Sequence, residues 1–159
     1  FITNNIIERW VSVVKKIVDL RNPSEIHLRN HPRENEIVVN QFQEAFKANN
    51  ILTIKIDATE QSLATGFEEY MGVVGSPSMA LRFSREAAQD IFVIGMADAA
   101  QQNYLSNPIV QGNIEGIHWL YEGDILDEKF LNPPKLPKKY HPSIAEILID
   151  ILGNQKFDG

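Results

Sequence analysis

The sequence predicts an α/β domain, a mainly parallel sheet with helices on both faces. Three observations carry that expectation. Short β-branched apolar runs alternate with stretches of helical period, and cap or turn residues separate them. The spacing between runs is also that of strand–helix–strand crossovers, which are right-handed and cover a parallel sheet on both sides. With 159 residues and 43% hydrophobic content, the chain can bury one core, and two would be crowded.

The elements follow in order. Over residues 3–20, Ile6, Ile7, Trp10, Val13, Val14, Ile17 and Val18 repeat at helical spacing, with Glu8, Arg9, Lys15 and Lys16 on the other side. Asn22-Pro23 ends this helix, because a residue before proline is pushed out of the helical region. "SEIHLR" reads as a strand, and Glu34 to Asn49 as a second helix carrying Ile37, Val38, Phe42, Ala45 and Phe46. Asn49-Asn50 stops it, and "ILTIKID" at 51–57 is β-branched and strand-like. A short helix is expected within "TEQSLATGFEEY", a buried strand in "MGVVGS", a helix over "SPSMALRFSREAAQ" and a strand in "DIFVIGM". "IEGIHWLYEG" adds a further strand, "NPPKLPKK" an extended connector, and "HPSIAEILIDILG" a proline-started, Gly153-stopped helix.

Composition excludes several function classes. A formal net charge of −6 argues against a general electrostatic grip on nucleic acid or an anionic membrane, so an anionic ligand must be held locally. The absence of cysteine removes disulfides and thiolate metal sites and favours a reducing compartment. No apolar run is long enough to span a bilayer and no cleavage-like leader is evident, which points to a cytoplasmic location. Because the chain starts at Phe1, a processed form or a segment of a longer polypeptide is expected.

Ligands of open parallel sheets gather at the carboxyl ends of the strands, where two unusual sequences fall. The first is His31-Pro32-Arg33. The second is Gly75-Ser76-Pro77-Ser78. At the second, Gly75 allows close backbone approach, the two serines offer hydroxyls, and the following helix directs amides to the same place, an arrangement that suits a phosphate. Ser76 before Pro77 is equally an ordinary helix cap, whereas Ser78, one turn in, favours the ligand. His31 can hydrogen-bond a phosphate and stabilise charge on a departing oxygen, Arg33 can add a forked contact, and Glu34 is a favourable first-turn acid. His27 is expected to pack on a sheet face; His118 beside Trp119 either lines a base or sugar pocket or is structural. Asp98 either caps a helix or orients a ligand hydroxyl, and His141-Pro142 reads as capping. No His–carboxylate spacing suggests a metal, and neither GxGxxG nor GxxxxGK occurs.

"IHLRNHPREN" and "MGVVGSPSMAL" together resemble the His-Pro and Ser-rich motifs of bacterial GT-B sialyltransferases, a family that includes lipooligosaccharide sialyltransferases and capsule polysialyltransferases. The similarity runs from Ile26 to Ile94. It implies a Rossmann-like, nucleotide-sugar-binding C-terminal domain over 23–159, closed by a C-terminal helix, with 1–22 as a helix leading from a missing domain. By this resemblance, His31 contacts the phosphate of CMP-sialic acid and aids departure of CMP, and Pro32 shapes the turn. Arg33, Gly75, Ser76 and Ser78 complete the donor site. Met79 stands where the family usually has a second hydroxyl residue. The family's general base belongs to an N-terminal acidic-Gly motif, and "YEGD" is the wrong end of the chain for it. The implied donor is CMP-sialic acid, with no cofactor or metal. The glycan acceptor would be brought by the missing domain, and the intact enzyme would associate peripherally with a membrane during surface polysaccharide synthesis. Other readings are half of a GT-B enzyme using CDP-glycerol or a UDP-sugar, or a non-catalytic α/β interaction or regulatory module. A receiver-like module would want acids where His31-Pro32-Arg33 stands.

Overall fold

A computed structural model describes residues 4–30, 36–57, 70–76, 81, 84–85, 90–98, 116–133 and 146–150. The described elements are α1 (Asn4–Arg21), β1 (Glu25–Asn30), α2 (Glu36–Ala48), β2 (Ile54–Asp57), β3 (Gly72–Gly75), β4 (Phe92–Ala97), β5 (His118–Tyr121), a 3₁₀ turn at Glu128–Leu131 and β6 (Glu146–Asp150). The fold is α/β and Rossmann-like: six strands form one sheet in the order β2-β1-β6-β3-β4-β5, and every pairing is parallel. Of the stretch 59–70 expected to hold a short helix, 59–69 lie outside the described residues, as do 134–139 of the expected connector.

Both helices end on asparagine for one physical reason. Asn22 (φ 45°) and Asn50 (φ 62°) adopt the left-handed conformation that asparagine tolerates better than most residues. The Asn22 amide then donates to the Val18 carbonyl at 2.8 Å, and the Asn50 amide to that of Lys47 at 3.0 Å, satisfying carbonyls the helix leaves open.

The sheet is buried on both sides. One face carries Ile26, Leu28, Val74, Ile94 and Ile149 against Trp10, Val14 and Ile17 of α1 and Val39, Phe42 and Phe46 of α2. The other carries Val73, Val93 and Leu148 against Leu81, Tyr70 and Ile117. Thus α1 is a layer of the same core as the sheet, with Val14 and Ile17 fully buried. Arg85, buried with Leu81, donates to the carbonyls of Ile91 and Gly116 just before β4 and β5, tying the amino ends of those strands.

One element differs from expectation. Where a C-terminal helix is predicted over 141–153, residues Glu146–Asp150 form β6, the strand between β1 and β3. Ile144, Ile147, Leu148, Ile151 and Leu152 repeat at three and four, which suggests a helix. In a central parallel strand both faces are buried, as Leu148 and Ile149 are at 0% exposure, so such a strand is also a continuous apolar run. Periodicity alone does not separate the two.

Candidate functional site

Because all strands run the same way, their carboxyl ends share one edge, in spatial order Asp57, Asn30, Asp150, Gly75, Ala97 and Tyr121. β1 ends at Asn30, the residue before His31-Pro32-Arg33, and β3 ends at Gly75, the residue before Ser76. One strand, β6, stands between them. At about 4.8 Å per strand step, the two ends are about 10 Å apart. Gly75 is buried and Ser76 half-buried. His31, Pro32, Arg33 and Ser78 lie outside the described residues.

The direction of the chain makes this place a crevice. From β1 the chain moves outward to β2 through α2 on one face; from β3 it moves outward to β4 past Leu81, Ser84 and Arg85 on the other. The elements that follow β1 and β3, α2 and the residues about Leu81, therefore lie on opposite faces of the sheet to either side of β6, the arrangement at which open α/β sheets take ligands.

Three residues near this edge are not singled out by sequence motifs. In register, Gly75 pairs with Gly95, and Gly95 with Trp119. Their shared face also carries Arg29, two residues after His27 on β1. A side chain on Gly95 would collide with the Trp119 ring, so the indole lies directly on the strand backbone. Arg29 is 4% exposed, an uncommon burial for a guanidinium, and it sits one residue before the carboxyl end of β1. In sequence Arg29 shares the polar phase of β1 with Glu25 and His27, so "IHLRN" carries no local signal of its burial.

Electrostatics divides the edge. On the β4–β5 side, Arg9 of α1 donates to the Ala97 carbonyl at 2.9 Å and to the Leu120 carbonyl at 2.7 Å. Burial pulls its guanidinium below the ordinary arginine range, while Glu122, Asp124 and Asp98 pull it back up. "YEGD" is the turn that ends β5: Gly123 has φ 91°, and the Asp124 carboxylate accepts from the Tyr121 amide at 2.9 Å. Burial and then Asp124 raise the Tyr121 phenol. With three acids about one committed arginine, this half of the edge repels an anion. Acids also stand on the other half, Asp150 at the end of β6 and Asp57 at the end of β2.

The other histidines fall away from this edge. His27 packs, as expected, with its ring edge-on to Tyr70 at 5.4 Å. In the neutral form its Nε2–H donates to Glu25 (3.0 Å) and its Nδ1 accepts from the Tyr70 hydroxyl (2.9 Å), which ties β1 to the residues before β3 across β6. His118 begins β5, at the amino end of that strand, and packs edge-on to Phe130 at 5.8 Å. Burial, then Arg85 and Lys129, lower its pKa. Asp98 is exposed just after β4, and His141-Pro142 lie outside the described residues. Among the described residues no group of three or more His, Asp or Glu is placed to hold a metal ion.

Away from the edge, a shallow groove of about 480 Å³ runs between α1 and α2, lined by Ile7, Ile37, Asn40, Gln41, Glu44 and Ala45. Comparison with protein-family models, curated proteins and solved structures finds no match to the chain.

Proposed function

We propose that the chain is the donor-nucleotide-binding half of a glycosyltransferase that moves sialic acid from CMP-sialic acid to a bacterial surface glycan. One observation carries the reading: the parallel sheet sets the end of β1, leading to His31-Pro32-Arg33, and the Gly75–Ser76 end of β3 on one edge, one strand apart. The strands that lead to both motifs behind the resemblance to GT-B sialyltransferases thus end on either side of β6, which supports a ligand site there.

In the intact enzyme a carboxylate of another domain takes the proton of the acceptor hydroxyl. The acceptor oxygen bonds to the anomeric carbon as the bond from that carbon to the phosphate oxygen breaks, and CMP leaves with inversion. His31 hydrogen-bonds the departing phosphate, and Ser76 and Ser78 hold it through hydroxyl and amide donors. Alone, the chain binds nucleotide and does not turn it over. We place the intact enzyme in the cytoplasm with peripheral membrane association; among the described residues no helix is long and apolar enough to cross a membrane.

Calorimetric titration with CMP, CDP and UDP tests the reading on the wild-type chain and on His31→Ala. CMP is expected to bind selectively, and His31→Ala to abolish that binding with the unfolding midpoint unchanged. Tighter binding of CDP or UDP would move the chain to a GT-B enzyme using CDP-glycerol or a UDP-sugar. Unchanged CMP affinity in His31→Ala would remove the assignment. The apolar groove beside Ile37, which is 65% exposed, supports a second reading as a non-catalytic interaction module. Failure of all three nucleotides to bind would favour it.

A further inference from the structure

The sheet contains a strand–helix unit assembled from two distant parts of the chain. Reading across it as β2-β1-β6-β3-β4-β5 gives the 3-2-1-4-5-6 order of a doubly wound sheet, with the first position filled by the strand nearest the C-terminus. α1 occupies the place of the helix that would follow such a first strand. Its Arg9 reaches carbonyls at the carboxyl ends of β4 and β5, and its last residue, Arg21, stands four positions before β1 begins. It therefore runs from the carboxyl edge back to the amino edge, antiparallel to the strands.

The faces agree with this placement. A crossover from β6 through α1 to β1 and one from β1 through α2 to β2 move in the same direction along the sheet, so right-handedness requires both helices on one face. α1 and α2 do share a face, packed in one cluster with Ile149 of β6. Leu81, on the oppositely directed path from β3 to β4, lies on the other face with Leu148.

We infer that β6 and α1 are an interrupted crossover unit: the central slot between β1 and β3 selects β6 by its two buried faces and not by its covalent position in the chain. The same sheet then forms when β6 is attached ahead of α1. This inference is independent of the nucleotide reading, because it concerns which segment fills the slot and not what binds above it.

A circular permutant tests it with every residue retained. The permutant begins at Lys138, joins Gly159 to Phe1 and ends at Pro137, leaving residues 151–159 and 1–3 to link β6 to α1. That link is longer than most strand-to-helix loops, which run about 2–6 residues, so it imposes no strain of reach. The expected result is one cooperative denaturant transition and amide protection at Leu28, Val74 and Ile149 within about tenfold of the parent chain. A permutant without a cooperative transition would overturn the inference. Hydrogen exchange on the parent is the second measurement: Leu148 and Ile149 should exchange in the same cooperative unit as Leu28 and Val74. Rapid exchange of the two β6 amides beside protected β1 and β3 would overturn it equally.

Discussion

Arg9 shows how one side chain can settle the character of a sheet edge. Its two guanidinium nitrogens bind carbonyls on two neighbouring strands, Ala97 of β4 and Leu120 of β5. Charge-assisted hydrogen bonds of this kind contribute about 1.5–3 kcal/mol, and losing the donor leaves both carbonyls and three nearby acids uncompensated. Arg9→Met should lower unfolding free energy by about 2–3 kcal/mol in denaturant titration, and Arg9→Lys should recover only part, because an ammonium lacks the planar fork. His118 makes a different claim. Its folded-state pKa lies below the ordinary 6.5, so the unfolded chain binds the proton more readily. The stability it contributes is complete above pH 6.5 and declines as the pH falls from there towards the folded value. His118→Gln should flatten that part of the stability–pH curve relative to wild type; an unchanged slope would show that the lowered pKa is not linked to folding.

At the scale of elements, the legible and illegible parts of the sequence separate cleanly. Helices 4–21 and 36–48 were readable because apolar residues repeat at helical spacing on one face and because Asn22-Pro23 and Asn49-Asn50 mark their ends. The strands β1, β2, β3, β4 and β5 were readable as short apolar or β-branched runs bounded by turn residues. β6 was not: β3 and β4 are buried on both faces too, but around β6 the residues Ile144, Ile147, Leu148, Ile151 and Leu152 fall at helical intervals between a proline start and a glycine stop. Its place in the sheet depends on a long-range pairing with β1 and β3 that no local pattern records. The burial of Leu148 and the registers His27↔Leu148 and Val73↔Leu148 make it a keystone residue. Leu148→Ala should cost about 2–5 kcal/mol and, because β6 joins the two halves of the sheet, should retain a single transition. A loss below 1 kcal/mol, read from denaturant midpoints, would contradict the central position of β6.

At the scale of the molecule, the parallel sheet brings the strand ends that precede two motifs to one edge, with one strand between them. "HPR" after β1 and "GSPS" after β3 were visible as candidates because His-Pro and Gly-Ser-Pro interrupt apolar runs where strands should end. That β6 separates their strands, that Arg29 is buried beside this edge, and that the Trp119 ring covers Gly95 follow only from the assembled register. The acids around Arg9 likewise come from two places, Asp98 just after β4 and Glu122 and Asp124 in the turn after β5, so their meeting with an arginine of α1 has no local signature. We propose that an anion binds over β6, between the ends of β1 and β3; because β6 itself ends on Asp150, the position of the strand ends and not charge carries this reading. Amide-resolved NMR during titration with CMP is the most direct test of that central claim. The account predicts saturable shifts concentrated at Asn30, Gly75 and Ser76, with Glu122 and Asp124 unmoved and with weaker or absent shifts for UDP. Equal, weak perturbation by both nucleotides, or shifts confined to the groove around Ile37 and Gln41, would contradict it.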